Sequence, residues 1–459
     1  MTDIENLFAR HKTCVAHRRV HFDLAARRDT LRRLKHAVHT REDAIIAALA
    51  ADFGKHPAEV RLTEILPVYQ EINHALRHLS RWMRPKRVMP GLTMIGTSAR
   101  LRPTPKGVAL VIAPWNFPFN LALGPLVSAL AAGCSAIVKP SEMTPATSTL
   151  IAEMIADNFD PELVAVVQGG PDVANALLAQ PFDHIFFTGS PAVGKIVMAA
   201  AAKTLASVTL ELGGKSPVIV GPDADIAKAA KWIVWGRFFN AGQTCVAPDH
   251  AYVHADVHDE FVAALYAQIA KMYAGNAALA KIINARHWDR ITALIEDAKA
   301  KGATVIGDTD RESRRIMPTI VTGAAPDMEI MKEEIFGPVL PILSYDDLDS
   351  VLGQINDAPH PLALYVFGGK SLADQVTAAT TSGSVGVNLT ILPFIHPNLP
   401  FGGIGNSGMG AAHGKHGFDA FSHMRPLLRN RFIPLPLIFP PYTATVEKLV
   451  KFVVRFVRR

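Results

Sequence analysis

An α/β protein built on parallel sheets with helices on both faces is predicted by three features of this 459-residue sequence. From residue 106 onward, short apolar runs alternate with helical stretches, the pattern of βαβ units. Before that, residues 1 to about 80 carry Leu24, Leu31, Leu34, Val38, Ile45 and Ala48 at helical spacing, with few strand-like runs. Finally, 49% apolar and 19% charged residues describe a globular chain, and its length exceeds one ordinary core, so two or three units are expected.

Composition also excludes. The net charge of +6 is modest and collects at the two ends, and aromatics are only 7%, which argues against a base-stacking nucleic-acid surface. Three cysteines (Cys14, Cys134, Cys245) without CxxC spacing cannot make a disulfide framework, and MTDIENLFARHK lacks the apolar region of a signal peptide. A reducing, cytoplasmic location is expected. Gly107 to Val138 runs 32 residues without a charge, yet Pro114, Pro118, Pro125, Asn116 and Asn120 interrupt it. A lone helix in lipid would leave backbone groups unpaired there, so a buried strand, a loop and a buried helix are predicted.

In chain order, Asp52-Phe53-Gly54-Lys55 reads as a helix end. Pro85, Pro90 and Gly91 break the pattern, and 92–104 reads as a strand of a small separate element. Val108 to Ile112 is a strand, followed by the PWNFP loop and a helix over Leu121 to Ala132. Strands at 135–138, 164–167 and 184–187 alternate with helices at 147–158 and 173–178. Ligands bind at the carboxyl ends of such strands, which directs attention to the loops after Ile112, Val138 and Phe187. A second α/β region has helices near 224–240, 257–274 and 287–301 and strands near 251–253, 303–306 and 338–343. Phe432 to Tyr442 holds four prolines and cannot be an α-helix. Thr445 to Arg459 is amphipathic and basic, too short to span a bilayer; it either lies on an anionic membrane surface or packs on its own domain or a sister subunit.

Cys245 sits in FFNAGQTCVAP, among small and polar residues, and is either a nucleophile in a cleft wall or an inert buried thiol. Glu211, inside the apolar strand VTLELGG, is either a general base of raised pKa or half of a buried salt bridge. Lys139 and Glu142 in KPSE are placed to bond ribose hydroxyls or are a surface pair. FTGSPAVGK runs from a strand into a glycine turn and a helix start able to face a phosphate, although its glycines lack GxGxxG spacing. His413, His416 and His423 have no Cys, Asp or Glu partner at ligand spacing, so no metal site is expected.

Seven motifs share one order: PWNFP, KPSE, FTGS, ELGGK, GQTC, EEIFGPV and PFGG. Together they resemble the NAD(P)-dependent aldehyde dehydrogenase superfamily from about residue 50 to 425, and GQTCVAPD with the PFGGIGNSGMGAAHGKHGFDAFSH stretch is similar to its class 3, fatty-aldehyde and coniferyl-aldehyde branch. The resemblance implies a Rossmann-type cofactor domain (1–80 and 103–210), an α/β catalytic domain (211–386), a small bridging β element (81–102 and 387–430) that extends a sheet across a homodimer, and a tail (431–459). It implies Cys245 as nucleophile, Asn116 with the Cys245 N–H as oxyanion hole, and Glu211 as the base that activates water, with Glu333 and Glu334 as rivals. It places Lys139 and Glu142 at the adenine ribose of NAD or NADP, Gly189, Ser190 and Gly194 near the pyrophosphate, and Glu334 and Phe336 at the nicotinamide ribose and ring. Glu142 favours NAD slightly, by repelling a 2′-phosphate. The competing readings are a silent scaffold, a cofactor-independent thiol esterase and an acyl-CoA-forming enzyme.

Overall fold

The computed structural model describes residues 3–275 and 279–458. Its first sheet has six strands in the order Gly408–Met409, Ser207–Leu212, His184–Gly189, Val108–Ile112, Ser135–Lys139, Val164–Val166. All neighbours are parallel except the short Gly408–Met409 strand, which pairs antiparallel with Gly408 opposite Glu211. Every residue of Val108–Ile112 is buried because alternate side chains enter different cores. Ala109 and Val111 join the core under helices Leu24–Thr40, Leu66–Trp82 and Asn120–Ala132, while Val108, Leu110 and Ile112 join the one under Pro191–Ala202. The charge-free stretch 107–138 thus resolves into strand, loop and helix.

The chain leaves Val108–Ile112 toward one edge, then returns to build its other side with His184–Gly189. The strand order therefore reverses between these two neighbours. In such sheets ligands bind outside the carboxyl ends of the strands at this reversal, here beside the loops that follow Ile112 and Gly189.

A second sheet has seven strands, in the order Thr304–Ile306, Thr319–Thr322, Val339–Tyr345, His250–His254, Pro217–Val220, Ala363–Phe367, Ser384–Val387. Only Thr304–Ile306 runs antiparallel to its neighbour. Lys86–Val88, Thr97–Pro105 and Ser422–Asn430 form a third, antiparallel sheet. The strand expected at 92–104 starts only at Thr97, after a 3₁₀ turn at Leu92–Met94.

Two local departures have physical causes. Between the short helix Pro57–Val60 and helix Leu66–Trp82 the chain widens into a π turn over Arg61–Ile65, just before Pro67, which has no N–H to continue the α ladder. In the proline-rich tail a single 3₁₀ turn forms over Leu435–Ile438, with Pro436 at its start, where no N–H is needed. The helix Ala444–Val457 follows, with Phe452, Val453, Val454, Phe456 and Val457 exposed; Arg459 lies outside the described residues.

Candidate active site

Helix Ile226–Phe238 ends in a 3₁₀ turn whose residues Asn240, Ala241 and Gly242 all take positive φ (50°, 53° and 70°). A β-carbon on Gly242 would lie 2.3 Å from the Gly337 carbonyl, so space requires glycine there and the positive φ favours it. The turn is paid for by side chains. Asn240 Nδ2 donates to the carbonyls of Asn116 (2.9 Å) and Gln243 (3.1 Å). Gln243 Nε2 donates to the Asn240 and Lys281 carbonyls, and its Oε1 accepts from the Ile283 N–H. Cys245 follows at the second position of a turn closed by Ala247 N–H to Thr244 O (3.0 Å). Tyr365 Oη donates to the carbonyl of Val246 at 2.6 Å, so the residue after Cys245 is tied to the second sheet.

The PWNFP loop is tied to the same turn. Asn116 Nδ2 donates to the Gln243 carbonyl at 3.0 Å, which uses one amide N–H and leaves the second for an oxyanion. Beneath it lies a buried ion pair, Lys55 Nζ to Glu64 Oε1 at 2.7 Å, with both side chains fully inaccessible. Its remaining hydrogen-bond capacity is used locally. Lys55 also donates to the Asn116 carbonyl (3.0 Å), and Glu64 Oε2 accepts the N–H groups of Phe119 and Asn120 at the start of helix Asn120–Ala132. From the sequence, Lys55 is legible only as part of a helix end and Glu64 not at all, since the two share no motif with the distant PWNFP loop.

Cys245 is half-buried and lines two cavities. The larger, about 700 Å³, is walled by Phe117, Leu121, Trp232, Trp235, Phe239 and Phe394, with Lys228 and Lys231 as the charged residues in its lining. The smaller, about 40 Å³, holds Glu211, Thr188, Ser128 and His413 beside Cys245. Glu211 is buried, and neither carboxylate oxygen has a hydrogen-bond partner. The buried salt bridge that was the alternative reading is therefore absent for Glu211. Burial pushes its carboxyl well above the ordinary carboxylate range.

Burial also pushes the Cys245 thiol up to about 12, and the nearby Glu334 and Glu211 carboxyls add to it. Glu334 is raised to about 8, chiefly by burial, with Asp249 contributing. It lies against the ELGGK turn, where a β-carbon on Gly213 would meet Glu334 Oε2 at 2.2 Å. Glu333 differs: it is exposed, and its carboxylate pairs with Arg290 at 2.7 Å. Lys215 of ELGGK pairs with Asp249 and donates to the carbonyls of Ile330 and Glu333, while Asp249 Oδ1 accepts the Ile335 N–H (2.9 Å). Phe336, at φ 48°, meets the Trp115 ring edge-on at 5.3 Å.

The residues expected to hold a cofactor gather at the carboxyl edge of the first sheet. Lys139 is buried with its Nζ 3.2 Å from the more exposed Glu142. Ser190 caps helix Pro191–Ala202, its Oγ accepting the Val193 N–H. Gly194 lets that helix sit close on the sheet, since a β-carbon would come within 2.7 Å of Leu212. A glycine turn, a capped helix start and a lysine–glutamate pair beside the switch point fit a dinucleotide. Among the described residues, no group of three or more His, Cys, Asp or Glu is arranged to hold a metal ion.

Residues 12–426 match the model of the aldehyde dehydrogenase family. The chain is 39% identical over 436 residues to a 4,4'-diaponeurosporen-aldehyde dehydrogenase of Staphylococcus aureus, covering 94% of this chain and 95% of that one. It is 43% identical over 410 residues to aldehyde dehydrogenase family 3 member A2 of Rattus norvegicus (88% and 84% covered). A solved structure described as the substrate bound state of Staphylococcus aureus AldH superposes with TM-score 0.94 at 38% identity, over 99% of this chain and 100% of that one. An E. coli NADP dependent enzyme gives 0.87 at 28% identity, covering 93% and 90%. With the match running through nearly the whole chain, the protein belongs to the aldehyde dehydrogenase family, whose members oxidise aldehydes with a nicotinamide cofactor.

Proposed function

We propose that this enzyme oxidises medium or long aliphatic, or aromatic, aldehydes to carboxylic acids through a covalent Cys245 adduct. One observation carries the reading: a half-buried thiol on the wall of an apolar cavity of about 700 Å³, with an unpartnered buried carboxyl on its other side. The apolar wall suits an aldehyde with a hydrophobic tail. Cys245, once deprotonated, attacks the carbonyl carbon; the free N–H of Asn116 and the Cys245 backbone N–H are the donors for the oxyanion, each worth about 3 kcal/mol in comparable sites. When bound, the nicotinamide cofactor supplies the hydride acceptor that turns the adduct into a thioester. Glu211, kept without a partner, takes a proton from water to release the acid. Glu333 is a poor rival because Arg290 already occupies it.

We assign the cofactor to Lys139, Glu142, Gly189, Ser190, Gly194, Glu334 and Phe336, with NAD preferred over NADP through Glu142. The first sheet supports a cofactor domain of 1–80 and 103–210, the second a catalytic domain of 211–386, and the three-stranded sheet a bridging element from 81–102 and 387–430. Exposed Leu427 and Leu428 on that element, and Val387 on the free edge of the second sheet, favour a homodimer. No helix among the described residues is long and apolar enough to cross a membrane. The exposed apolar face and basic face of Ala444–Val457 favour peripheral contact of a cytoplasmic enzyme with anionic lipid. Equal sedimentation with anionic vesicles by the full chain and by a truncation near Pro440 removes that assignment.

The deciding experiment is reduction of NAD and NADP at 340 nm with a panel of aldehydes, for wild type, Cys245→Ala and Glu142→Gln. Rates that rise with tail length, vanish without the thiol, and shift toward NADP without the carboxylate are expected. Silence of the wild type on every aldehyde returns the scaffold reading.

A further inference from the structure

His413 stands outside the site as assigned, yet the fold spends structure to place it. Its backbone has φ 69°, ψ 138°, a conformation that side-chain-bearing residues rarely adopt. The following Gly414 is also at positive φ (49°), and a β-carbon there would strike the Pro397 carbonyl at 2.3 Å. The imidazole Nδ1 lies 2.8 Å from Oε1 of the buried Glu71, whose Oε2 accepts the Gly414 N–H at 3.0 Å. An ionised Glu71 can only accept, so Nδ1 donates to it, and in the neutral imidazole Nε2 is then the acceptor. That Nε2 is buried without a hydrogen-bond partner, and His413 lines the small cavity that holds Glu211 and Cys245. The same segment pairs with Glu211 through its backbone, Gly408 opposite Glu211. A cavity of about 40 Å³ has room for a bridging water.

We propose that His413, held by Glu71, is the positioning residue that takes the proton from Glu211 and returns it to the carboxylate form after each deacylation. This rests on the reading of Glu211 as base. In the step, a water O–H bond breaks and its proton goes to Glu211, while the water oxygen bonds to the acyl carbon and the carbon–sulfur bond breaks, leaving the thiolate. The proton then passes from Glu211 to His413 Nε2 through water in the small cavity that both residues line. The imidazolium is stabilised by the Glu71 carboxylate and loses the proton to solvent. No oxidant or reductant is needed. The ionisable groups around His413 are Glu71 and His74 on helix Leu66–Trp82, Glu211 and Cys245 across the cavity, and Lys415, paired with Asp419, on its own helix. The rings of Phe394 and Phe401 flank the imidazole.

The test is stopped-flow reduction of NAD(P) by an apolar aldehyde, with the full chain. His413→Gln should give a burst of one equivalent per site followed by a steady rate at least tenfold below wild type. Imidazole added to His413→Ala should restore the steady rate. Glu71→Gln still accepts from Nδ1 but lacks the charge; it should slow the steady phase and displace the acid limb of the kcat–pH profile. A wild-type steady rate and pH profile in both His413→Gln and Glu71→Gln overturn the proposal, as does a folded His413→Ala, by thermal unfolding, that imidazole fails to rescue. Glu211→Gln run alongside separates the two levels. If it deacylates like wild type, the base assignment falls and this inference with it; if it stalls while His413→Gln does not, only this inference falls.

Discussion

The two cavities that meet at Cys245 are built on opposite principles. The larger presents tryptophan, phenylalanine and leucine side chains and acts through area removed from water. The smaller has room for only a few water molecules and gathers groups whose polar atoms are left without partners, Glu211 and the Nε2 of His413. Folded proteins rarely leave buried polar atoms unpaired, because each costs roughly 1–3 kcal/mol. The contrast teaches that this fold divides substrate capture from proton handling, with one thiol on the boundary. Helix Asn120–Ala132 supplies wall to both sides through Asn120 and Leu121.

Removing the boundary breaks both sides at once: Cys245→Ala should abolish turnover with every aldehyde while NAD binding, followed by fluorescence quenching, persists. Undermining the shared wall comes next. Lys55→Met leaves Glu64 buried without its partner under Asn116 and the helix start, and should lower unfolding free energy by about 3–5 kcal/mol in denaturant titration. A change confined to the apolar side should act on substrates and spare the chemistry. Trp235→Ala removes about 1.5–3 kcal/mol of contact, a roughly 10- to 150-fold fall in kcat/KM for long apolar aldehydes, with acetaldehyde much less affected.

The polar side should answer to pH. Glu334, at about 8, and Glu211, pushed well up by burial, bind protons more tightly folded than unfolded. Stability from their neutral forms is complete below the unfolded value of 4.5 and is lost as pH rises through the folded values. The cofactor-free melting temperature should therefore fall between pH 5 and 8, and Glu334→Gln should shrink that fall. The smallest effect belongs to the tail, which touches neither cavity: truncation near Pro440 removes a helix with no buried residue and should change stability by under about 0.5 kcal/mol.

The alternation of apolar runs and helical stretches was enough to place the parallel sheets, because a strand buried on both faces must be apolar throughout, as Val108–Ile112 is. The nucleophile loop was legible through GQTC, and the raised carboxyl through a glutamate in the otherwise apolar strand VTLEL. Lys55 with Glu64, Tyr365 with Val246, and Glu71 with His413 were not legible. Each joins segments far apart in the chain by one hydrogen bond or ion pair, and such pairing leaves no periodicity or spacing. His413 was visible only as one of three histidines without metal partners. By itself, then, the sequence determined the architecture, the family and the chemistry-bearing residue types, since periodicity and local motifs are properties of neighbouring residues. Only the tertiary structure decided which carboxyls are paired and which are left free, because burial and hydrogen-bond partners are set by chain segments that meet in space.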